Sequence, residues 1–112
     1  MTDKELLELA AKAAGVEGDW FENEFWSGIQ GTFTGNADVR PWNPLTDDGD
    51  ALRLVVRLKL IVDVGPGYAE VKDPEHDPDP IRAFEYSNDS DNPYAATRRA
   101  IVRAAAEIGR TM

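Results

Sequence analysis

The spacing of apolar residues changes period along this chain, and that change constrains the fold more than any other feature. Tyr68-Ala69-Glu70-Val71 and Ile81-Arg82-Ala83-Phe84-Glu85-Tyr86 alternate with the period of two expected of strands. On either side of that block, apolar residues recur at intervals of three and four, the spacing of one helix face. Helical and strand periods that alternate within 112 residues leave room for one domain, residues 1–112, of the α+β class.

Three helices are predicted. Residues 2–14 open with Thr2 and Glu5 at capping-box spacing, bring Leu6, Ala10 and Ala13 onto one face, and stop at Gly15. A central helix at 47–60 follows Trp42-Asn43-Pro44-Leu45-Thr46-Asp47-Asp48-Gly49-Asp50, with Thr46 or Asp47 as its N-cap. Its apolar residues (Ala51, Leu54, Val55 and Leu58, then Leu52, Val56 and Leu60) leave only a narrow polar arc at Asp50, Arg53 and Arg57. A helix so apolar is covered on two sides, by the sheet on one and by a neighbouring helix or a second subunit on the other. The last helix runs from Pro93, after the Asn92 N-cap, to about Gly109, with Tyr94, Thr97, Ile101, Ala104, Ala105 and Ile108 facing inward.

The strands follow from turn chemistry. Ile61–Val64 and residues 68–72 flank Gly65-Pro66-Gly67 as a hairpin, and 81–86 adds a third antiparallel strand. Between them, Asp73-Pro74-Glu75-His76-Asp77-Pro78-Asp79-Pro80 reads as an exposed loop. In residues 16–42, the aromatics Trp20, Phe21, Phe25, Trp26 and Phe33 are punctuated by Gly28, Gly31 and Gly35, which favours one or two short strands. The expected order is α-β(β)-α-β-β-β-α, an antiparallel sheet of three to five strands packed with three helices.

Composition then narrows the function. Lys plus Arg number 12 and Asp plus Glu 21, a formal charge of −9. Such a field repels nucleic acid and anionic membranes, so no sequence-specific nucleic-acid binding is expected. With no cysteine, thiolate metal sites, iron–sulfur clusters and cysteine nucleophiles are excluded. No apolar run reaches the length of a membrane span, and the first residues carry no signal-peptide pattern. His76 stands alone among Asp73, Glu75, Asp77 and Asp79 in a proline-broken loop, which offers no fixed ligand geometry, so no metal is assigned. No nucleophile motif, phosphate loop or dinucleotide fingerprint occurs. Neither catalytic residues nor a cofactor are expected.

Three segments carry a family resemblance. They are Glu5-Leu6-Leu7-Glu8-Leu9-Ala10-Ala11-Lys12-Ala13-Ala14-Gly15, the Trp42-Asn43-Pro44 entry to the central helix with Asp47 three residues on, and the closing Ala95-Ala96-Thr97-Arg98-Arg99-Ala100-Ile101-Val102-Arg103-Ala104-Ala105. Together they resemble the phage ABA sandwich domain and related small phage proteins of unknown function. The resemblance implies a phage or prophage origin and action in the cytoplasm of the infected bacterial host, and it brings no catalytic residues with it.

The remaining candidates are arginines and tryptophans. Residues 92–112 hold Arg98, Arg99, Arg103 and Arg110 against Glu107, a basic helix within an acidic chain. Guanidinium groups match phosphate and carboxylate, and indole rings stack on planar bases. Trp20, Trp26, Trp42, Arg53, Arg57, Arg98 and Arg99 are therefore the candidate ligand-binding residues. The reading that joins them is a non-enzymatic phage sponge that sequesters a small phosphorylated nucleotide signal of host immunity, as a homo-oligomer formed through the 47–60 helix. The alternatives are an acidic protein–protein inhibitor that mimics nucleic acid, and a phage accessory protein with no small ligand.

Overall fold

The computed structural model describes residues 1–31, 41–87 and 92–112; Phe33 and Gly35, named above, lie outside them. The elements are α1 (Asp3–Ala14), β1 (Asp19–Glu22), β2 (Ser27–Gln30), α2 (Asp48–Leu58), β3 (Ile61–Gly65), β4 (Tyr68–Asp73), β5 (Ile81–Tyr86) and α3 (Pro93–Arg110). The chain is thus a small α+β domain in the expected order. Its strands divide into two antiparallel sheets, β1-β2 and β3-β4-β5.

Local chemistry sets the helix ends. The Thr2 hydroxyl accepts from the Glu5 N–H while the Glu5 carboxylate accepts from the Thr2 N–H, a complete capping box. Asp47 caps α2 by accepting from the Asp50 N–H at 2.8 Å. Asn92 caps α3 ahead of Pro93 in the first turn.

The centre of the molecule is α3. Ala100, Ile101, Val102, Ala104, Ala105, Ala106 and Gly109 are all buried, so this helix is covered around most of its circumference. α1 and α2 pack against it, and so do β4 and β5. The expectation placed the doubly covered helix at 47–60; it lies here instead. In α2 only Asp50, Ala51 and Leu54 are buried within the helix, while Leu52 and Val56 are 63% and 68% exposed. α2 lies mainly on α3, with a smaller contact on α1, and the sheet is not its cover. The physical reason is volume. Alanine side chains let neighbours approach α3 from opposite sides, whereas the leucines and valines of α2 need only one partner surface.

α1 runs alongside α3 in the same direction. Asp3 receives a hydrogen bond from Arg99 at 3.0 Å near one end, and Lys12 reaches the Met112 carbonyl at 3.3 Å at the other. Leu6, Leu7, Ala10, Ala11 and Ala14 fill the contact. Complete burial of Leu7 alone contributes roughly 1.5–3 kcal/mol. Close approach is most acute at Gly109, where a Cβ atom would stand 2.0 Å from the Leu9 carbonyl oxygen.

Ala is about 1 kcal/mol better than Gly in a free helix, yet at Gly109 the added methyl meets backbone that cannot yield without moving α1. Gly109→Ala is therefore expected to destabilise the protein by about 1–3 kcal/mol, the usual cost of overpacking. Urea denaturation checks this; an unchanged or higher midpoint would show that α1 and α3 are not locked at this point.

Candidate functional site

The segment between the two sheets is organised by Asn43 and Asp50. Asn43 is buried; its side-chain amide donates to the Ser27 carbonyl at 2.8 Å and its Oδ1 accepts from the Leu45 N–H at 2.9 Å. The Asn43 N–H donates to the Asp50 carboxylate at 3.0 Å, and Arg53 donates to the same carboxylate at 3.1 Å. Asp50, read from the sequence as part of a polar outer arc, is 2% exposed. Its burial is tolerated because a charge-assisted hydrogen bond and a backbone N–H satisfy it. The W-N-P entry to the helix is thus a joint that fastens β2 to α2. Removing the carboxylate leaves the buried Asn43 N–H without this acceptor, so Asp50→Ala is expected to cost about 2–3 kcal/mol. A chemical-denaturation difference under about 0.5 kcal/mol would contradict the assignment, being typical of plain surface changes.

On this joint stands a rigid hairpin tip. The Asn23 side chain accepts from the Phe25 and Trp26 N–H groups at 2.8 and 2.7 Å, and the Asn23 N–H donates to the Trp26 carbonyl at 2.8 Å. The tip holds two aromatic rings toward solvent, Phe25 at 76% and Trp26 at 44% exposure. At the next strand Gly28 has φ +149, and a Cβ there would lie 2.3 Å from the Trp42 carbonyl oxygen. Only glycine lets β2 approach Trp42 so closely. Ile29 then pairs with Trp20 on one side and bridges Trp42 on the other.

Between tip and joint lies a cleft of about 320 Å³, lined by Phe25, Trp26, Ser27, Pro41, Asn43, Thr46 and Asp47. Its walls are aromatic and apolar on one side and carry hydroxyl, amide and carboxylate groups on the other. That size and mixture suit a small molecule with a flat ring and hydrogen-bonding groups. Exposed aromatic rings on a braced turn also differ from core rings, which the apolar reading of residues 16–42 did not separate.

The seven predicted ligand residues divide in two. The tryptophans share one lobe: Trp42 is buried, Trp20 is partly buried against the core, and Trp26 lines the cleft. None of the arginines lines it. Arg53 is paired with Asp50, and Arg57 lies beside Gly15 at the end of α1. Arg99 is paired with Asp3, and Arg98 donates to the Leu45 carbonyl at 2.8 Å and to Asp48 at 2.6 Å. Arg98 comes nearest in connectivity, because its two partners bracket the cleft residues Thr46 and Asp47. The basic face of α3 is stitched to acids along its length, with Arg103 on Glu85 and Arg110 on Glu107. Exposed pairs of this kind each contribute about 0–1 kcal/mol; they spread the positive charge rather than concentrate it.

Rings and cations do meet on the outer face of the three-stranded sheet. Tyr68 stacks on Phe84 at 5.4 Å, Tyr86 meets Phe84 edge-on at 4.8 Å, and the Arg82 guanidinium lies 5.9 Å from the Phe84 ring centre. Register explains the cluster, since Tyr68 is opposite Tyr86 and Glu70 is opposite Phe84. Arg82 and Lys72 both pair with Glu70. Burial works to raise the Glu70 carboxyl, but hydrogen bonds from Arg82 and Lys72, together with their charges, outweigh it and hold the group below its ordinary value of 4.5.

A carboxyl lowered by folding adds stability above its ordinary value, and that stability is lost as pH falls through the lowered folded value. Glu70→Gln should therefore be less stable than the native chain at pH 7, with the gap closing as pH falls below the ordinary value of 4.5 and through the lowered one. Urea midpoints measured across that range test the sign; a gap that widened with acid would refute it.

The acidic loop is tied down at one point. The His76 ring contacts the Thr111 hydroxyl at 3.0 Å and the Asp73 carboxylate at 3.6 Å, while Pro74, Glu75 and residues 77–80 are exposed. The composition of the loop gave no sign of this contact with the end of α3. Among the described residues no group of three His, Asp or Glu side chains is placed to hold a metal ion. Among them, too, no helix is long and apolar enough to cross a membrane.

Comparison with protein families, with curated proteins and with solved structures finds no match for this chain.

Proposed function

We propose that this domain is a non-enzymatic binding protein that holds a small planar ligand in the cleft under the hairpin tip. The observation that carries the reading is the placement of Trp26, half exposed on an Asn23-braced turn, over a cleft that also presents Thr46 and Asp47. Stacking on an indole stabilises a flat ring by about 1–3 kcal/mol. Asp47, which caps α2, brings a carboxylate to the lining of the cleft, a group whose acceptor oxygens suit the hydroxyls of a sugar. Ring and sugar together describe a nucleoside.

The resemblance to small phage proteins supplies the setting: a nucleotide-derived immune signal, sequestered in the cytoplasm of the infected bacterium. The general field of −9 opposes a polyanion, but charges beyond about 8 Å are screened at physiological salt. A holding role needs affinity and no nucleophile.

Calorimetry against ADP-ribose derivatives, cyclic di- and trinucleotides and the parent nucleosides tests the proposal. At least one ligand should bind below about 1 μM, near −8 kcal/mol, and be recovered intact after heat denaturation. Trp26→Ala, a change at an exposed position, should weaken binding about tenfold, or about 1.4 kcal/mol. Absence of binding across the panel, cleavage of the ligand, or unchanged affinity in Trp26→Ala would overturn it.

A further inference from the structure

The outward stripe of α2 is apolar in its middle and oppositely charged at its ends. Residues three and four apart share a helix face, so Asp48, Leu52, Val56 and Lys59 form one line along the surface, with Arg53 at its margin. All five are exposed. Among the described residues nothing requires Leu52 and Val56 to be apolar, because the core is filled from the opposite side of α2 by Ala51 and Leu54. Apolar exposure continues past Lys59 and Leu60 into β3, where Ile61, Val62 and Val64 are exposed on an edge strand. Val62 and Val64 point to the same side of the sheet as Val71 and Ala69, but those partners are buried and these are not.

We infer that this surface binds a second copy of the chain, with the two α2 helices antiparallel about a twofold axis. The charge pattern selects both the partner and the direction. In an antiparallel pair with Leu52 set against Val56 of the second copy, Asp48 of each chain, one oxygen of which accepts from Arg98 of its own chain, lies beside the Lys59 end of the other. The two charged ends are complementary, and the helix dipoles oppose favourably. A parallel pair would set Asp48 against Asp48 and Lys59 against Lys59. An isologous contact of this kind needs only one self-complementary patch. An eleven-residue helix is about 16 Å long, too short for one of its faces to supply by itself the roughly 800 Å² per partner of a stable interface. The exposed valines of β3 supply the added apolar area. This inference does not rest on the ligand reading, since among the described residues the stripe shares no side chain with the lining of the cleft.

The absence of native cysteines makes the geometry directly measurable. Light scattering at about 10–100 μM protein in 0.15 M salt, where the like charge of two copies is screened within about 8 Å, should give a dimer. Leu52→Glu should give a folded monomer, with its circular dichroism unchanged because the position is solvent-exposed. For direction, Leu52→Cys and Val56→Cys proteins are oxidised separately and mixed. The antiparallel pair predicts that the mixed disulfide forms several times faster than either self-linked product. A monomer at every concentration would overturn the inference. So would a Leu52→Glu protein that remains dimeric, or self-linked Leu52→Cys as the dominant product.

Discussion

The packing of α3 against neighbours on opposite sides is the constraint on which the rest of the structure depends. A helix can sit between other helices and a sheet only if its side chains are small enough for those layers to come close. Ala100, Ala104, Ala105, Ala106 and Gly109 meet that requirement, with Ile101 and Val102 filling the wider gaps. Close packing of this kind draws its strength from dispersion and from apolar area removed from water, both of which fall away sharply with separation. α1 buries its face mainly on α3, with smaller contacts on β2 and α2. β4 and β5 likewise bury Ala69, Val71, Ile81 and Ala83 on the side that faces α3.

Charge plays a different part. The arginines of α3 reach outward to Asp3, Asp48, Glu85 and Glu107, so carboxylates from α1, α2, β5 and α3 itself are drawn to one helix. In a chain with a large excess of acid, these pairs ease repulsion that would otherwise oppose the compact state. Arg98 is the most enclosed of them, with a side chain only 16% exposed, and it fixes the start of α2 through Leu45 and Asp48. The same pairing takes these cations away from any open anion site.

That cleft depends on a chain of supports. Asp50 is held by Arg53 and the Asn43 backbone, Asn43 holds the Ser27 carbonyl, and Ser27 begins the strand that follows the Phe25–Trp26 tip. The polar groups work beside buried apolar ones, since Pro41, Trp42 and Pro44 of the same segment are buried. Among the described residues no buried side-chain nitrogen or oxygen lacks a hydrogen-bond partner.

What the sequence determined by itself was local. Helix limits were legible from Thr2 and Glu5, from Asp47 and from Asn92-Pro93, because caps act within three or four residues. The meander was legible from Gly65-Pro66-Gly67 and from alternation at 68–71 and 81–86, since side-chain period and turn chemistry are properties of neighbours in the chain. Tertiary structure alone decided which helix would be central. Hydrophobicity favoured the leucines and valines of residues 47–60, whereas closeness of approach, which depends on side-chain volume in three dimensions, favoured the alanines of α3. It also decided where the arginines went, because partners such as Arg98 and Asp48 or Arg99 and Asp3 are far apart in the chain and meet only once the helices pack. The burial of Asp50 was hidden for the same reason: a carboxylate on a helical wheel looks solvated until the backbone N–H of Asn43 and the guanidinium of Arg53 are placed against it.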